Sequence, residues 1–129
     1  MQTSFTDQQL ENKDNKSSEN ILRKCVHCGM CNATCPTYAI NGNELEGPRG
    51  RIYLIKDMLE NKKPANKKIA QHIDSCLSCY GCMTTCPSGV NYMHLIDHGR
   101  NHVEETYKRP LLDRLFRNIL SYTLPKPNV

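Results

Sequence analysis

The sequence is poor in large aromatic side chains, with no tryptophan and only two phenylalanines. Hydrophobic residues make up 38% of its 129 residues. A chain of this length is expected to form one domain, and this composition gives it a modest core. Because small cores are commonly supplemented by disulfides or metals, the composition predicts a domain that depends on bound groups for its stability.

Long hydrophobic runs are also missing. No stretch approaches the roughly 20 apolar residues needed to span a bilayer. The segment from Met1 to Asn20 is polar and charged, which excludes a signal-peptide pattern there. We therefore expect no transmembrane segment and a cytoplasmic location, with peripheral attachment to the cytoplasmic face of the inner membrane left open.

No period-2 alternation bounded by hairpin turns is found, so strands are not expected. Helical spacing is common instead, as in the stripe formed by Tyr92, Ile96, Gly99, Val103 and Tyr107. Gly99 in that stripe predicts a close approach to another element. We predict an all-α fold, with a loosely packed or disordered arm over 1–18, a domain over 19–109, and an amphipathic helix and tail over 110–129.

Four helix boundaries can be predicted from capping residues. Ser18 is a plausible N-cap of a helix that leads to the first cysteine. Gly47-Pro48 predicts a helix start because proline is tolerated at the first helical position. A helix is expected at about Asn66 to Asp74, and another after Pro110 with an apolar stripe.

Cysteine is absent outside two short runs, which together hold all eight. The runs are Cys25, Cys28, Cys31, Cys35-Pro36 and Cys76, Cys79, Cys82, Cys86-Pro87. Their spacing, C-x2-C-x2-C-x3-C-P, is typical of bacterial ferredoxins with two [4Fe-4S] clusters, in which the fourth cysteine of each run ligates the other cluster. The proline biases the preceding cysteine toward an extended backbone that points away from its own loop.

The spacing predicts two crossed ligand sets. Set A, for cluster A, consists of Cys25, Cys28, Cys31 and Cys86. Set B, for cluster B, consists of Cys76, Cys79, Cys82 and Cys35. Gly29 and Gly81 are expected at equivalent, positive-φ positions in the two loops. His27 and Tyr80 lie within the loops and are candidates for tuning the reduction potentials.

Three other uses of the cysteines fit less well. Structural zinc uses paired C-x2-C knuckles with four ligands per ion and has no role for a third cysteine at the same interval. A disulfide framework is typical of short secreted chains. A c-type haem needs C-x-x-C-H, whereas His27 precedes Cys28. A zinc-stabilised interaction module remains the alternative of a different class.

The formal net charge of +4 is offset once cofactors are counted, because two oxidised [4Fe-4S] clusters with four thiolates each carry about −2 apiece. The lysine run at Lys62, Lys63, Lys67 and Lys68 is interpreted as a solvated linker, with a docking patch as the alternative. No interleaved aromatic set indicates nucleic-acid binding. Arg49 and Arg51 stand in the first turn of a predicted helix, where the helix dipole disfavours cations, so we expect them to pair with Glu44, Glu46 or cluster charge.

Three segments make the chain similar to the N-terminal part of the glycolate oxidase iron-sulfur subunit family. They are Cys25-Val-His-Cys-Gly-Met-Cys-Asn-Ala-Thr-Cys-Pro-Thr-Tyr, Glu44-Leu-Glu-Gly-Pro-Arg-Gly-Arg-Ile-Tyr-Leu-Ile-Lys and Cys86-Pro-Ser-Gly-Val-Asn-Tyr. The resemblance implies an α-helical ferredoxin that relays electrons from a FAD-containing glycolate or other 2-hydroxy acid dehydrogenase subunit toward quinone or a membrane acceptor. It implies no catalytic residues here. Complexes of lactate, glycerol-3-phosphate or heterodisulfide reductase type are the open alternatives.

The chain departs from that family at its C-terminal end. The family continues into a portion with paired, CCG-type cysteines, and no adjacent cysteine pair occurs here. The sequence therefore indicates the ferredoxin part of a longer or split protein, or a fragment. The apolar stripe of the last helix is expected to pack onto the cluster domain, and a surface that needs another partner is the alternative.

Overall fold

A computed structural model describes residues 1–126 as helices joined by short loops, with no strand in that range. The α-helices are α1 Asp7–Leu10, α2 Lys13–Lys24, α3 Pro36–Asn41, α4 Pro48–Glu60, α5 Lys67–Asp74, α6 Gly81–Thr85, α7 Tyr92–Thr106 and α8 Leu111–Thr123. Two short 3₁₀ helices, Met30–Thr34 and Glu44–Glu46, lie between them. The all-α prediction is confirmed.

Most of the predicted helix starts are confirmed by their caps. Helix α4 begins with Pro48 at its first position, after Gly47. Helix α5 follows Asn66, whose side chain accepts a hydrogen bond from the Ile69 N–H. Both helices lie in the segment between the cysteine runs, and both position side chains next to the cysteines.

The predicted N-cap at Ser18 is wrong, because α2 begins at Lys13, six residues before the start that Ser18 would set. Asn12 caps it by accepting hydrogen bonds from the N–H groups of Asp14 and Asn15. Ser18 is instead fully buried inside the helix, and its Oγ lies 2.7 Å from Nδ1 of His98. Ser18 therefore links α2 to α7 through this hydrogen bond and does not start a helix.

The N-terminal residues, which we predicted to be loosely held, contact the body of the domain at several points. Met1 and Phe5 pack against the hydrophobic core. The buried Gln9 donates from Nε2 to the carbonyl oxygens of Leu59 and Glu60, each over 3.0 Å. The boundary predicted at residue 18 therefore lies inside α2, and the division at residues 109 and 110 stays a prediction.

The core forms where α4 and α7 cross, with α2 and α5 packed beside them. Ile55 on α4 is fully buried and lies over Gly99 on α7. A Cβ at Gly99 would come within 2.7 Å of Ile55 Cγ1, which is closer than side chains pack. The close approach predicted for Gly99 is confirmed, and it brings the two helices that flank the cysteine loops together.

Helix α8 lies outside this core. Its stripe of Leu111, Leu112, Leu115, Phe116, Ile119 and Leu120 is between 49% and 81% exposed. The expectation that the stripe packs onto the domain is wrong. Ion pairs connect α8 and the residues before it to α5. Arg109 pairs with Asp74 at 2.6 Å, and Arg117 of α8 pairs with the same carboxylate at 3.1 Å. Among residues 1–126, no helix combines the length and the apolar character needed to cross a membrane.

Candidate metal centre

Two cavities lie side by side where the cysteine loops face α4 and the start of α7. Thiols of Cys25, Cys28, Cys31, Cys82 and Cys86 line the first. Those of Cys35, Cys76, Cys79 and Cys82 line the second. Pro48, Cys82 and Tyr92 line both cavities, so they form the wall between them.

Each cavity takes thiols from both runs. Cys86 of the second run joins the first cavity, and Cys35 of the first run joins the second. All eight cysteines are free thiols. In residues 1–126, no three His, Cys, Asp or Glu side chains meet at one ion-sized point. The thiols surround space for a larger inorganic group, and a set of soft sulfur donors of this kind suits iron-sulfur clusters.

The two fourth cysteines have the backbone expected before proline. Cys35 has φ −87° and ψ 116°, and Cys86 has φ −76° and ψ 113°. Each ends a short helical turn, which lets the next residue, a proline, leave in a new direction. The extended conformation predicted for both cysteines is confirmed.

The two loops share a pattern of left-handed residues. His27 and Ser78, each just before the second cysteine of its run, have φ of 58° and 52°. Gly29 and Tyr80, each just after that cysteine, have φ of 84° and 55°. The predicted equivalence of Gly29 and Gly81 is therefore wrong, because Tyr80 occupies the matching position and Gly81 begins α6. A tyrosine held at positive φ costs about 1–3 kcal/mol, which the surrounding contacts must offset.

Burial, and after it the charges of neighbouring thiols, raises the pKa of two cysteines. Burial, followed by the charges of Cys25, Cys86 and Cys28, raises the pKa of the Cys31 thiol to about 11. Burial, followed by Cys31, Cys76 and Cys35, raises the pKa of Cys82 to about 12. Neighbouring thiolates repel one another at these positions, so cations bound between them favour the deprotonated form.

Cys35 behaves in the opposite way. Burial acts to raise its pKa, yet hydrogen bonds from Thr37 and the nearby charge of Arg51 outweigh that effect and lower it. Thr37 Oγ1 lies 3.2 Å from Cys35 Sγ, and Arg51 Nη1 lies 3.9 Å from the same sulfur. This part of the second cavity stabilises negative charge on sulfur.

Arg51 is the centre of a buried polar network. Its side chain is 1% exposed and donates to Thr37 Oγ1, Glu46 Oε2, Ser75 Oγ and the His72 carbonyl over 2.7–3.1 Å. Glu46 also contacts His72 Nδ1 at 2.5 Å. By contrast, Arg49 pairs with Glu44 at 3.7 Å in a largely exposed position. The predicted pairing of both arginines with these glutamates is confirmed.

Several residues of the site could not be singled out from the sequence. His72 and Ser75 belong to the Arg51 network, and neither stands in a recognisable motif. Tyr92 is in the predicted apolar stripe of α7, but its hydroxyl donates to Cys76 Sγ over 3.6 Å. Thr37 did carry a signal, since it lies two residues after Cys35, within reach of the sulfur.

His27 and the lysine run have simpler surroundings. His27 stacks on Tyr53 with 6.1 Å between ring centroids and lines the first cavity. Burial, followed by the charge of Arg49, lowers the pKa of its imidazole. The four lysines around Pro64 are exposed, and Lys63 pairs with Asp57 at 3.1 Å.

Replacing Glu46 by glutamine is expected to lower the free energy of unfolding by about 3–5 kcal/mol, because Arg51 is left buried without its counter-charge. Hydrogen bonds to Ser75 and His72 outweigh burial and lower the pKa of Glu46. The ionised Glu46 therefore stabilises the fold at pH values above the ordinary carboxyl pKa. This stabilisation is lost as the pH falls through the lowered pKa of Glu46 in the folded protein. Urea denaturation of the iron-loaded protein at several pH values measures both effects.

The matched control is Glu44→Gln, which removes the partner of the exposed Arg49 and should cost no more than about 1 kcal/mol. Equal losses in the two variants would show that burial of the Arg51 pair is energetically unimportant.

Comparison with known proteins agrees with this donor set. Residues 21–90 match the model of the 4Fe-4S dicluster domain. Over its whole length the chain is 51% identical to the glycolate oxidase iron-sulfur subunit of Escherichia coli (strain K12), of which it covers 31%. It is 32% identical, over 90% of the chain, to the probable glycolate oxidase iron-sulfur subunit of Bacillus subtilis (strain 168), of which it covers 27%.

A more distant relative is the succinate dehydrogenase iron-sulfur subunit of Paracoccus denitrificans, with 28% identity. The match covers 54% of this chain and 29% of that subunit. No solved structure matches the chain. The chain spans about a third of the length of the curated relatives it matches. The family match covers more than half of the chain and includes both cysteine runs. It indicates an iron-sulfur role in electron transfer. The chain belongs to the 4Fe-4S dicluster domain family.

Proposed function

We propose that the chain holds two [4Fe-4S] clusters through crossed ligand sets. Cys25, Cys28, Cys31 and Cys86 bind cluster A, and Cys76, Cys79, Cys82 and Cys35 bind cluster B. The observation that carries the proposal is the lining of the two cavities. The first cavity receives the first three cysteines of the first run and Cys86 of the second, and the second cavity receives the first three cysteines of the second run and Cys35 of the first. Cys82 also reaches the first cavity, as expected for a residue in the shared wall.

Thiols of the two runs affect one another's pKa, which supports ligation of each cluster by both runs. The pKa of Cys31 is raised by burial and by other members of set A, including Cys86 from the second run. The pKa of Cys82 is raised by burial, then by Cys31 of set A, and then by Cys76 and Cys35 of set B. Thiols that influence one another this much lie close together in space.

The bound clusters would supply one-electron transfer, and the residues around them prepare the site for it. The shared wall keeps the two sites adjacent. Buried side chains on α4 and α7, among them Ile52 and Tyr92, exclude water from the cavities. No acid–base or nucleophilic step is assigned to these residues, so substrate chemistry is proposed to belong to a partner subunit.

For that partner, we favour a FAD-containing subunit that oxidises glycolate or a similar 2-hydroxy acid, with quinone as the final acceptor. Two relatives named as glycolate oxidase iron-sulfur subunits support this choice. A succinate dehydrogenase iron-sulfur subunit among the relatives shows that this type of domain also occurs with other dehydrogenases. Lactate, glycerol-3-phosphate or heterodisulfide chemistry is therefore the second candidate.

Anaerobically purified protein is expected to contain about eight irons and about eight sulfides per chain. Reduction with dithionite should produce two interacting S = 1/2 signals in low-temperature EPR spectra. A colourless protein with stoichiometric zinc would instead support the interaction-module alternative and rule out the relay.

The partner is identified by purifying the native complex under anaerobic conditions. The copurified flavoprotein is then assayed with glycolate, lactate and glycerol 3-phosphate, using an artificial dye as acceptor. Fastest dye reduction with glycolate supports the favoured partner, and fastest reduction with another substrate supports the second candidate.

A further inference from the structure

The two thiol sets differ in the side chains that donate hydrogen bonds to their sulfurs. Thr37 and Arg51 approach Cys35 Sγ at 3.2 and 3.9 Å. The Tyr92 hydroxyl donates to Cys76 Sγ over 3.6 Å. Arg51 and Tyr92 donate to sulfurs of set B, whereas the Thr37 hydroxyl donates its proton to the Glu46 carbonyl oxygen over 2.6 Å. Within residues 1–126 no side chain donates to a sulfur of set A. The second site is therefore the better prepared for added negative charge.

The arginines show the same difference. Arg51, beside set B, is 1% exposed, so water does little to screen its charge. Glu46 offsets part of that charge, but its carboxylate is shared among Arg51, Ser75 and His72. Arg49 also lines the first cavity, but its side chain is 40% exposed and pairs with Glu44, which is 55% exposed. Solvent screens a charge in this position more than a buried one, so Arg49 stabilises added negative charge less than Arg51 does.

On the basis of the proposed function, we infer that Arg51 and Tyr92 give the set B site the higher reduction potential. Reduction adds one negative charge, and hydrogen bonds to the thiolates stabilise the more negative state. The first electron accepted by the domain then resides with Cys35, Cys76, Cys79 and Cys82. Transfer from set A to set B moves one electron and requires no proton or bond change. The electron comes from the partner's reduced flavin, or from dithionite in the experiment below.

An EPR-monitored redox titration of the iron-loaded full chain tests this inference. The wild type is expected to show two separate one-electron steps. Tyr92→Phe should lower the higher step and leave the lower step in place. Loss of one hydrogen bond to a charged sulfur corresponds to about a tenfold change in the equilibrium constant, or about 59 mV for a one-electron couple.

Lys56→Gln is the matched control, because it removes a cation from the same helix as Arg51 at a position that lines neither cavity, and it should leave both steps in place. Arg51 is wholly buried and its replacement also perturbs folding, so Tyr92→Phe carries the test.

The inference is overturned if Tyr92→Phe shifts the lower step, shifts both steps equally, or shifts neither, while the iron content remains at the wild-type value. Each of these results leaves the proposed function standing. A wild type that lacks about eight irons per chain overturns the proposed function, and this inference with it.

Discussion

Replacing Cys25 and Cys86 together by serine is expected to remove one cluster and leave the other intact. The two residues are far apart in sequence but line the same cavity. Loss of both affects set A alone, so the iron content should fall from about eight to about four per chain. The double variant Cys25→Ser/Cys35→Ser is the matched comparison, because it removes one ligand from each set and should leave little iron of either cluster.

Iron and sulfide analysis distinguishes these outcomes, and EPR spectra show whether the remaining cluster is magnetically isolated. If each run instead held its own cluster, the result would reverse. Cys25→Ser/Cys35→Ser would keep about four irons, and Cys25→Ser/Cys86→Ser would lose nearly all of them. That reversal would contradict the crossed ligand sets.

Removal of the clusters is expected to unfold most of the domain. Buried cysteines, among them Cys25, Cys35 and Cys82, are part of the hydrophobic core itself. Without iron, the crowded thiols and the positive-φ residues of the loops lose the bonds that hold them in place, and the binding free energy of the metal is lost from folding. Circular dichroism of the apoprotein should show a large loss of helical signal and no cooperative thermal transition.

Reconstitution with iron and sulfide is the control and should restore both the helical signal and the transition. A helical spectrum close to that of the loaded protein, with a cooperative melt, would show that the polypeptide core folds without the clusters.

The helices that could be predicted are those with a local signal. Gly47-Pro48 and Asn66 mark starts through backbone chemistry, and the stripe on α7 shows which face is buried. The start of α2 was missed because residues 13–17 are polar on every side and have no apolar periodicity. Contacts distant in sequence, such as Ser18 with His98, stabilise that helix.

The same distinction applies to the candidate site. Cysteine spacing depends on local geometry and could be interpreted directly. The position of Arg51 depends on tertiary packing, because its sequence neighbours do not reveal that five hydrogen-bond acceptors converge on its side chain. Tyr92 could be assigned to the core from its spacing, but the partner of its hydroxyl depends on how α7 meets the second loop.

The apolar stripe of α8 shows a further limit. Amphipathic spacing predicts that one face of a helix is apolar, and it does not identify what covers that face. In the structure the stripe is exposed, whereas Arg109, whose side chain is only 6% exposed, joins the start of this region to α5 and α7 through Asp74 and Glu104.

The exchange of Cys35 and Cys86 between the cavities also affects biosynthesis. When the first run leaves the ribosome, it provides only three of the thiols of the first site. In the proposed ligand sets its fourth ligand is Cys86, which is synthesised after the whole of α4 and α5. With crossed ligand sets, neither site can be completed on the nascent chain before both runs have emerged. The cellular machinery that delivers iron and sulfide would therefore act on a nearly full-length domain and load both sites at a late stage.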